Sequence, residues 1–179
     1  LRGSPSLKSR LLAFVDLART RAYEASYRDM FEQTIVSSPE DAWALEMLRT
    51  VHMPGVSAEW REEHVTVVPN GVDLDYFAPQ DVIRAPATLV FSGKMSYHAN
   101  EAAAIFLAHE IMPLVWARRP ETNVVIAGSA PPPSVRALAA DSRITVTGYL
   151  DDLRPAIAGA TLAVAPLRYG VGIQNKVLE

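Results

Sequence analysis

The chain has 179 residues, 49% of them hydrophobic and 21% charged, which is enough apolar material for a packed core and rules out a disordered chain. A formal net charge of −3 and a pI near 5.8 argue against a dedicated binder of nucleic acid or of an anionic membrane surface. With no cysteine, disulfides, thiolate metal sites and a cysteine nucleophile are excluded, and no run approaches the ~18 apolar residues that a membrane span needs.

Leu7 to Phe31 reads as a helix: Leu11, Leu12, Val15, Ala18, Ala22, Ala25 and Tyr27 fall near a 3.6-residue stripe, without Gly or Pro. Counted through Glu32, five basic residues stand against four acidic ones, so the expectation is a docked inner face and a solvated outer one, not a membrane-surface helix. Thr34 to Ser37 is a short strand. Ser38-Pro39-Glu40-Asp41 then opens a helix, with a hydroxyl cap, a proline at the first position and two carboxylates at the positive end of the dipole. This helix runs to about Arg49, and Val51 to Glu63 reads as an irregular loop around Pro54-Gly55.

Next comes the stretch around which the chain is organised, His64 to Pro79. Val65, Val67 and Val68 form a strand closed by Pro69, and Asn70-Gly71 suits a tight turn with positive φ. Four apolar or β-branched runs follow, at 88–91, 124–127, 144–147 and 162–165, each of the kind found in strands covered on both faces. Helical segments lie between them, at Asn100 to Glu110 with a restart at Pro113, near Ser134–Ala140, and at Asp152–Ala158. This alternation implies right-handed crossovers and a parallel sheet. Gly93, Gly128, Gly148 and Pro166 punctuate the carboxyl ends of the runs, where open α/β sheets place their ligands. The last run leads through two glycines into a helix start, Ile173 to Glu179. A sheet that stops after its fourth strand is expected to be part of a longer protein.

Two constellations carry chemistry. In Phe91-Ser92-Gly93-Lys94, a strand ends in glycine and a cation before a helix begins, so main-chain N–H groups and an ammonium could accept a phosphate. Alone, the same residues also describe a turn with a solvated lysine. In Leu167 to Glu179, Gly170 and Gly172 allow close backbone approach, Lys176 offers a cation, and Glu179 a carboxylate able to accept hydrogen bonds from vicinal hydroxyls such as those of ribose. A glycine loop with a surface salt pair is the plainer alternative. Both follow strand ends and so should converge on one crevice. The four histidines show no metal-ligand spacing, and there is no nucleophile elbow, Walker loop or dinucleotide fingerprint. His98 reads as a cap or surface residue.

The string V-x-P-N-G-V-D-x-x-x-F-x-P at 67–79 resembles the domain crossing of family 4 ("group 1") glycosyltransferases of the GT-B fold, and G-I-Q-N-K-V-L-E at 172–179 resembles a subgroup tied to bacterial exopolysaccharide assembly. The resemblance implies an α/β protein with two Rossmann-like domains, both incomplete in this chain. Residues 1–70 would end the acceptor-side domain, 71–86 would link, and 87–179 would bind a nucleotide-sugar donor. It implies a retaining transfer of a sugar from a nucleotide-diphosphate donor to a glycan or lipid-linked acceptor, in cytoplasmic synthesis of polysaccharide or cell envelope. No metal or cofactor is demanded beyond the donor as co-substrate, no nucleic acid is involved, and peripheral contact with the inner face of the membrane is compatible with the role. The truncated chain would be inactive alone, with acceptor-side catalytic residues outside it.

By the same resemblance Gly93 and Lys94 would hold the diphosphate, with lysine in place of the family's arginine. The family's second cation is absent, because Ala99 and Asn100 stand near its place. Gly128 would line the donor site, and Tyr149 and Leu150, after Gly148, would edge the nucleobase. Gly170, Gly172, Ile173, Gln174 and Asn175 would contact the sugar, Lys176 would assist Lys94, and Glu179, the second glutamate of an E-x7-E motif, would hold ribose. The first glutamate of that motif would fall at Val171 and is missing. A nucleotide-sugar epimerase of the same fold and a non-catalytic nucleotide-binding module are the alternatives. Donor sugar, base, acceptor and oligomeric state are not legible.

Overall fold

A computed structural model describes residues 7–27, 30–52, 65–169 and 175–177. The chain divides into two compact units, Leu1–Asn70 and Gly71–Glu179.

The first unit holds helix α1 (Leu7–Tyr27), strand β1 (Thr34–Val36), helix α2 (Pro39–His52) and strand β2 (Val65–Val67). The strands pair in parallel, Thr34 opposite Val65 and Val36 opposite Val67, and Val68 N–H extends the ladder to the Val36 carbonyl at 2.8 Å. Ser38 caps α2 as its sequence suggests, its Oγ accepting from Asp41 N–H at 3.1 Å. Three expectations change here. Helix α1 is described to Tyr27, Met30 and Phe31 beyond it are exposed, and most of the described part of its expected inner face is bare: Leu12 and Val15 are 55% and 46% exposed and Ala18 and Ala22 are exposed too, with Ala25 buried. Helix α2 takes in Val51 and His52, whose sequence reads as loop; the rest of that loop, 53–63, lies outside the described residues. At the crossing, neither Asn70 nor Gly71 adopts positive φ. The turn comes later, where the Asp73 carboxylate accepts from the N–H groups of Asp75 and Tyr76 and the Asp73 carbonyl from Phe77 N–H. A side chain able to satisfy two N–H groups decides the turn's place over a dipeptide that merely tolerates one.

The second unit is one parallel sheet of β3 (Thr88–Ser92), β4 (Asn123–Ala127), β5 (Ile144–Gly148) and β6 (Leu162–Ala163), in the order β5-β4-β3-β6. The four runs thus form adjacent parallel strands as expected, and β2 pairs with β1 outside this sheet. The order is that of a mononucleotide-binding half, in which the direction of winding reverses between the first strand and the fourth. Side chains alternate as strand geometry requires. Phe91, Val124 and Ile126 pack on one face against helix α3 (His98–Phe106), the π turn Leu107–Ile111 and helix α4 (Met112–Trp116). Helix α5 (Pro133–Arg136) and the 3₁₀ turn Ala137–Ala140 add Val135 and Leu138 to that core. Val90 and Ala127 face the other way, toward helix α6 (Arg154–Ala158) and Ala160. Full burial of Phe91, Met95, Leu107, Met112 and Ile126 is worth about 1.5–3 kcal/mol for each side chain.

Two readings are corrected. The run 162–165 is not covered on both faces: β6 is an edge of two residues, with Leu162 57% exposed. Nor does the helix break before Pro113. The π turn carries it through, with Met112 N–H reaching back to the Leu107 carbonyl, because a proline in an unbroken α ladder would clash with the carbonyl four residues earlier. Of the helix expected over 173–179, the described residues show a 3₁₀ turn, Asn175–Val177.

From Gly71 on, the crossing segment belongs to the second unit. Arg154 stacks on the Tyr76 ring at 3.8 Å and donates to the Tyr76 carbonyl at 3.0 Å, and Ala85 N–H donates to the Gly159 carbonyl at 2.7 Å.

Candidate functional site

At the carboxyl ends of β3, β4 and β5 the chain leaves the sheet through glycine each time, with φ of 151° at Gly93, 145° at Gly128 and 72° at Gly148. The first two are interlocked. Gly93 N–H donates to the Ala127 carbonyl at 3.0 Å, and a Cβ on Gly128 would lie 1.8 Å from the Gly93 carbonyl oxygen, which no side chain can do. Met95 N–H then bonds the Ser129 carbonyl at 2.9 Å, and the Met95 side chain is fully buried beneath the loop. At Gly148 the backbone turns so that Tyr149 emerges, 73% exposed.

These three loops surround a cleft of about 390 Å³. Ser92, Gly93 and Asn100 lie along it, Lys94 and Tyr97 stand on one side, and Tyr149, Leu150 and Leu153 on another. Asn175 and Lys176 complete the lining, and no carboxylate is among the described residues that line it. The Lys176 ammonium donates to Asn100 Oδ1 at 2.7 Å and lies 4.9 Å from the centre of the Phe91 ring. Asn100, 7% exposed, donates from Nδ2 to the Lys94 carbonyl at 3.0 Å. Gly93 favours a bare Cα as well: at its φ of 151° a side chain is strained, and a Cβ would come within 2.8 Å of Asn100 Nδ2 and 3.0 Å of Lys176 Nζ, so that the amide and the ammonium would have to shift.

The segment after β6 runs back along α3. Tyr169 stacks on the His98 ring and its hydroxyl donates to the His98 carbonyl at 3.3 Å, while Arg168 lies 5.0 Å from the centre of the Phe106 ring. His98 is therefore the first helical residue and a docking surface for Tyr169; the cap position is Tyr97, without a side-chain bond. The Tyr97 carbonyl accepts from Asn100 and Glu101 N–H at 2.9 and 3.0 Å, and the start of α3, whose Asn100 lines the cleft, contributes positive potential. Two lysines in a lining with no described carboxylate suit an anion carrying more than one charge, such as a diphosphate.

The sequence profile described as "Glycosyl transferases group 1" matches residues 86–179. The chain belongs to the group 1 glycosyl transferases. No curated protein matches it. Among solved structures it is similar to the pneumococcal O-GlcNAc transferase GtfA in complex with UDP and GlcNAc, at 15% identity and a TM-score of 0.51, over 79% of this chain and 26% of that one. It is also similar to Anabaena Alr3699/HepE in complex with UDP and glucose, at 14% identity and a TM-score of 0.47, over 74% of this chain and 37% of that one. The chain thus spans about a quarter of GtfA, 26% of its length, and the likeness is one of fold, the α/β GT-B architecture of Rossmann-like units.

Of the positions assigned to a donor in this group 1 transferase, Gly93, Lys94, Gly128, Tyr149, Leu150, Asn175 and Lys176 line a single cleft. Gly170, Gly172, Ile173, Gln174 and Glu179 lie outside the described residues. Sequence reading missed Ser92, Tyr97, Ser129 and Leu153 as lining residues, and saw Asn100 only as the place of an absent cation. One signal for Asn100 was available: an amide near the start of an otherwise alanine-rich helix, close enough to bond its own approach loop.

Proposed function

We propose that residues 87–179 bind the nucleotide-diphosphate sugar of a retaining glycosyltransferase, that 71–86 link, and that 1–70 end its acceptor-side domain. The reaction is transfer of a sugar to a glycan or lipid-linked acceptor during bacterial polysaccharide or cell-envelope synthesis, in the cytoplasm or at the inner membrane face. No helix among the described residues is long and apolar enough to cross a membrane. The observation that carries the reading is the meeting of Lys94 and Lys176 around Gly93, at the ends of parallel strands, in a cleft whose described lining holds no carboxylate. The UDP and GlcNAc held by GtfA, a structure of the same fold, support a sugar nucleotide as the ligand class.

In this reading Tyr149 and Leu150 edge the base, Glu179 accepts from the ribose hydroxyls, and Lys94 faces the diphosphate. As the bond between the anomeric carbon and the phosphate oxygen breaks, negative charge gathers on the leaving diphosphate. An ammonium already in place stabilises that charge more than it does the ground state. No cofactor beyond the donor is required.

The test is titration of the protein with UDP, GDP and ADP and with their nucleosides, followed by amide chemical shifts so that millimolar affinities are measured. Lys94→Ala should weaken the preferred diphosphate by about 1.5–3 kcal/mol and leave its nucleoside unaffected. Equal losses for both would show that Lys94 has only a structural role.

A further inference from the structure

Lys176 reaches the cleft from a loop far along the chain, yet the β3–α3 segment positions its charge. Asn100, 76 residues earlier, accepts from the ammonium at 2.7 Å. The Phe91 ring lies 4.9 Å from that nitrogen, and the bare Cα of Gly93 leaves it room. The orientation of Asn100 follows from its partners: an ammonium only donates and the Lys94 carbonyl only accepts, so Oδ1 faces Lys176 and Nδ2 faces Lys94. One half-turn of helix thereby ties the backbone of one lysine to the head of the other. Because the amide is neutral, it orients the ammonium without cancelling its charge. A carboxylate in the same place would hold the lysine more strongly and neutralise it.

We propose that Asn100 is a positioning residue that sets Lys176 as the second cation of the diphosphate site beside Lys94, a proposal that rests on the donor-binding reading above. The position where the family pattern calls for a cation is filled by an amide that brings one in from another loop. Lys94 and Lys176 then share the charge of one ligand, and the bare glycine between them leaves room for Asn100 and Lys176.

Inorganic pyrophosphate, UDP and uridine would be titrated into the 179-residue protein and into Lys176→Ala, Asn100→Ala, the double variant and Asn100→Asp. Lys176→Ala should weaken pyrophosphate and UDP roughly tenfold to a hundredfold and change uridine by less than about twofold. Asn100→Ala should do the same, and the double variant should be no weaker than Lys176→Ala alone, since the amide acts through the lysine. Asn100→Asp neutralises the lysine but sets a carboxylate oxygen against the Lys94 carbonyl in place of an N–H, so it should melt below the wild type, remain folded and lose pyrophosphate; if one Asn100 variant does not fold, the other and Lys176→Ala decide. Additive losses in the double variant, wild-type affinity in Asn100→Asp, a harmless Lys176→Ala, or no binding of pyrophosphate by the wild type would each overturn the proposal. The donor reading fails separately, if pyrophosphate behaves as described and UDP binds no more tightly than pyrophosphate.

Discussion

In the Gly71–Glu179 unit, Phe91, Met95, Leu107, Met112 and Ile126 are at most 1% exposed, while in the Leu1–Asn70 unit Phe14, Tyr23 and Trp43 are 64–67% exposed. Both units alternate strand with helix, and both contain enough large apolar side chains to suggest a core. They differ in the sheet. The described residues of the first unit hold two strands of three residues and no interior strand, so neither face of that pair offers helices a broad surface to cover; four strands give β3 and β4 neighbours on both sides and a core on each face. Among the residues of the first unit whose burial is described, Ala25 is the sole buried apolar side chain. Stability should therefore be concentrated in the second unit.

The largest effect that tests this contrast is a pair of truncations. Phe91→Ala should cost about 3–5 kcal/mol in urea denaturation, through lost transfer energy and the cavity left behind, whereas Trp43→Ala should stay within about 0.5 kcal/mol. Equal costs would mean that the first unit has a core of its own. A pair of glycines sharpens the contrast within the second unit. Gly128→Ala drives a Cβ into the Gly93 carbonyl at positive φ, so it should cost about 2–3 kcal/mol and abolish pyrophosphate binding. Gly71→Ala meets nothing within 4 Å and no positive φ, and should be neutral or stabilising by up to about 0.5 kcal/mol in the same assay.

The smallest effect is a pH dependence. The side-chain hydrogen bond from Arg143 holds the Asp141 carboxyl down from its ordinary 3.8 to about 2, and Arg154 lowers Asp152 in the same way. A carboxyl depressed in the folded state contributes stability that is present above its ordinary value and is lost as pH falls from about 4 through about 2. Thermal melts across that range should steepen in the wild type and flatten in Asp141→Asn. The effect is small because both partners face solvent. An unchanged slope would mean that the pair gives no net stabilisation.

Much of this architecture was legible because its signals are local. β3, β4 and β5 announce themselves as apolar runs ending in glycine, and α2 by Ser38-Pro39. Coverage was not legible: Leu162–Ala165 is as apolar as its neighbours, and only the strand order shows it to lie at an edge. Asn70-Gly71 tolerates a tight turn but does not compel one, and the Asp73 carboxylate moved the turn downstream. The glycines and lysines of the cleft could be named from their place after strands. The bond of Asn100 to its own approach loop could be named as well, but not its hold on a lysine 76 residues away, a contact that only the fold creates.

The π turn at Leu107–Ile111 has a consequence for how this unit tolerates insertions and deletions. A π turn is an α turn with one residue added, so the helix on either side keeps its facing: Met112 stays fully buried and Leu114 stays 73% exposed. Deleting one residue from Leu107–Ile111 would return the segment to a regular ladder without rotating the helix beyond it. The same deletion within His98–Phe106 would turn one part of the helix against the other by about 100° and carry Ala103 and Ala104 off the sheet. A regular ladder, however, would bring the Pro113 ring against a carbonyl at a cost of about 3 kcal/mol. The length of this helix and its proline therefore form one unit of change: a shorter version should arise only together with replacement of Pro113, and Pro113→Ala should make the extra residue dispensable.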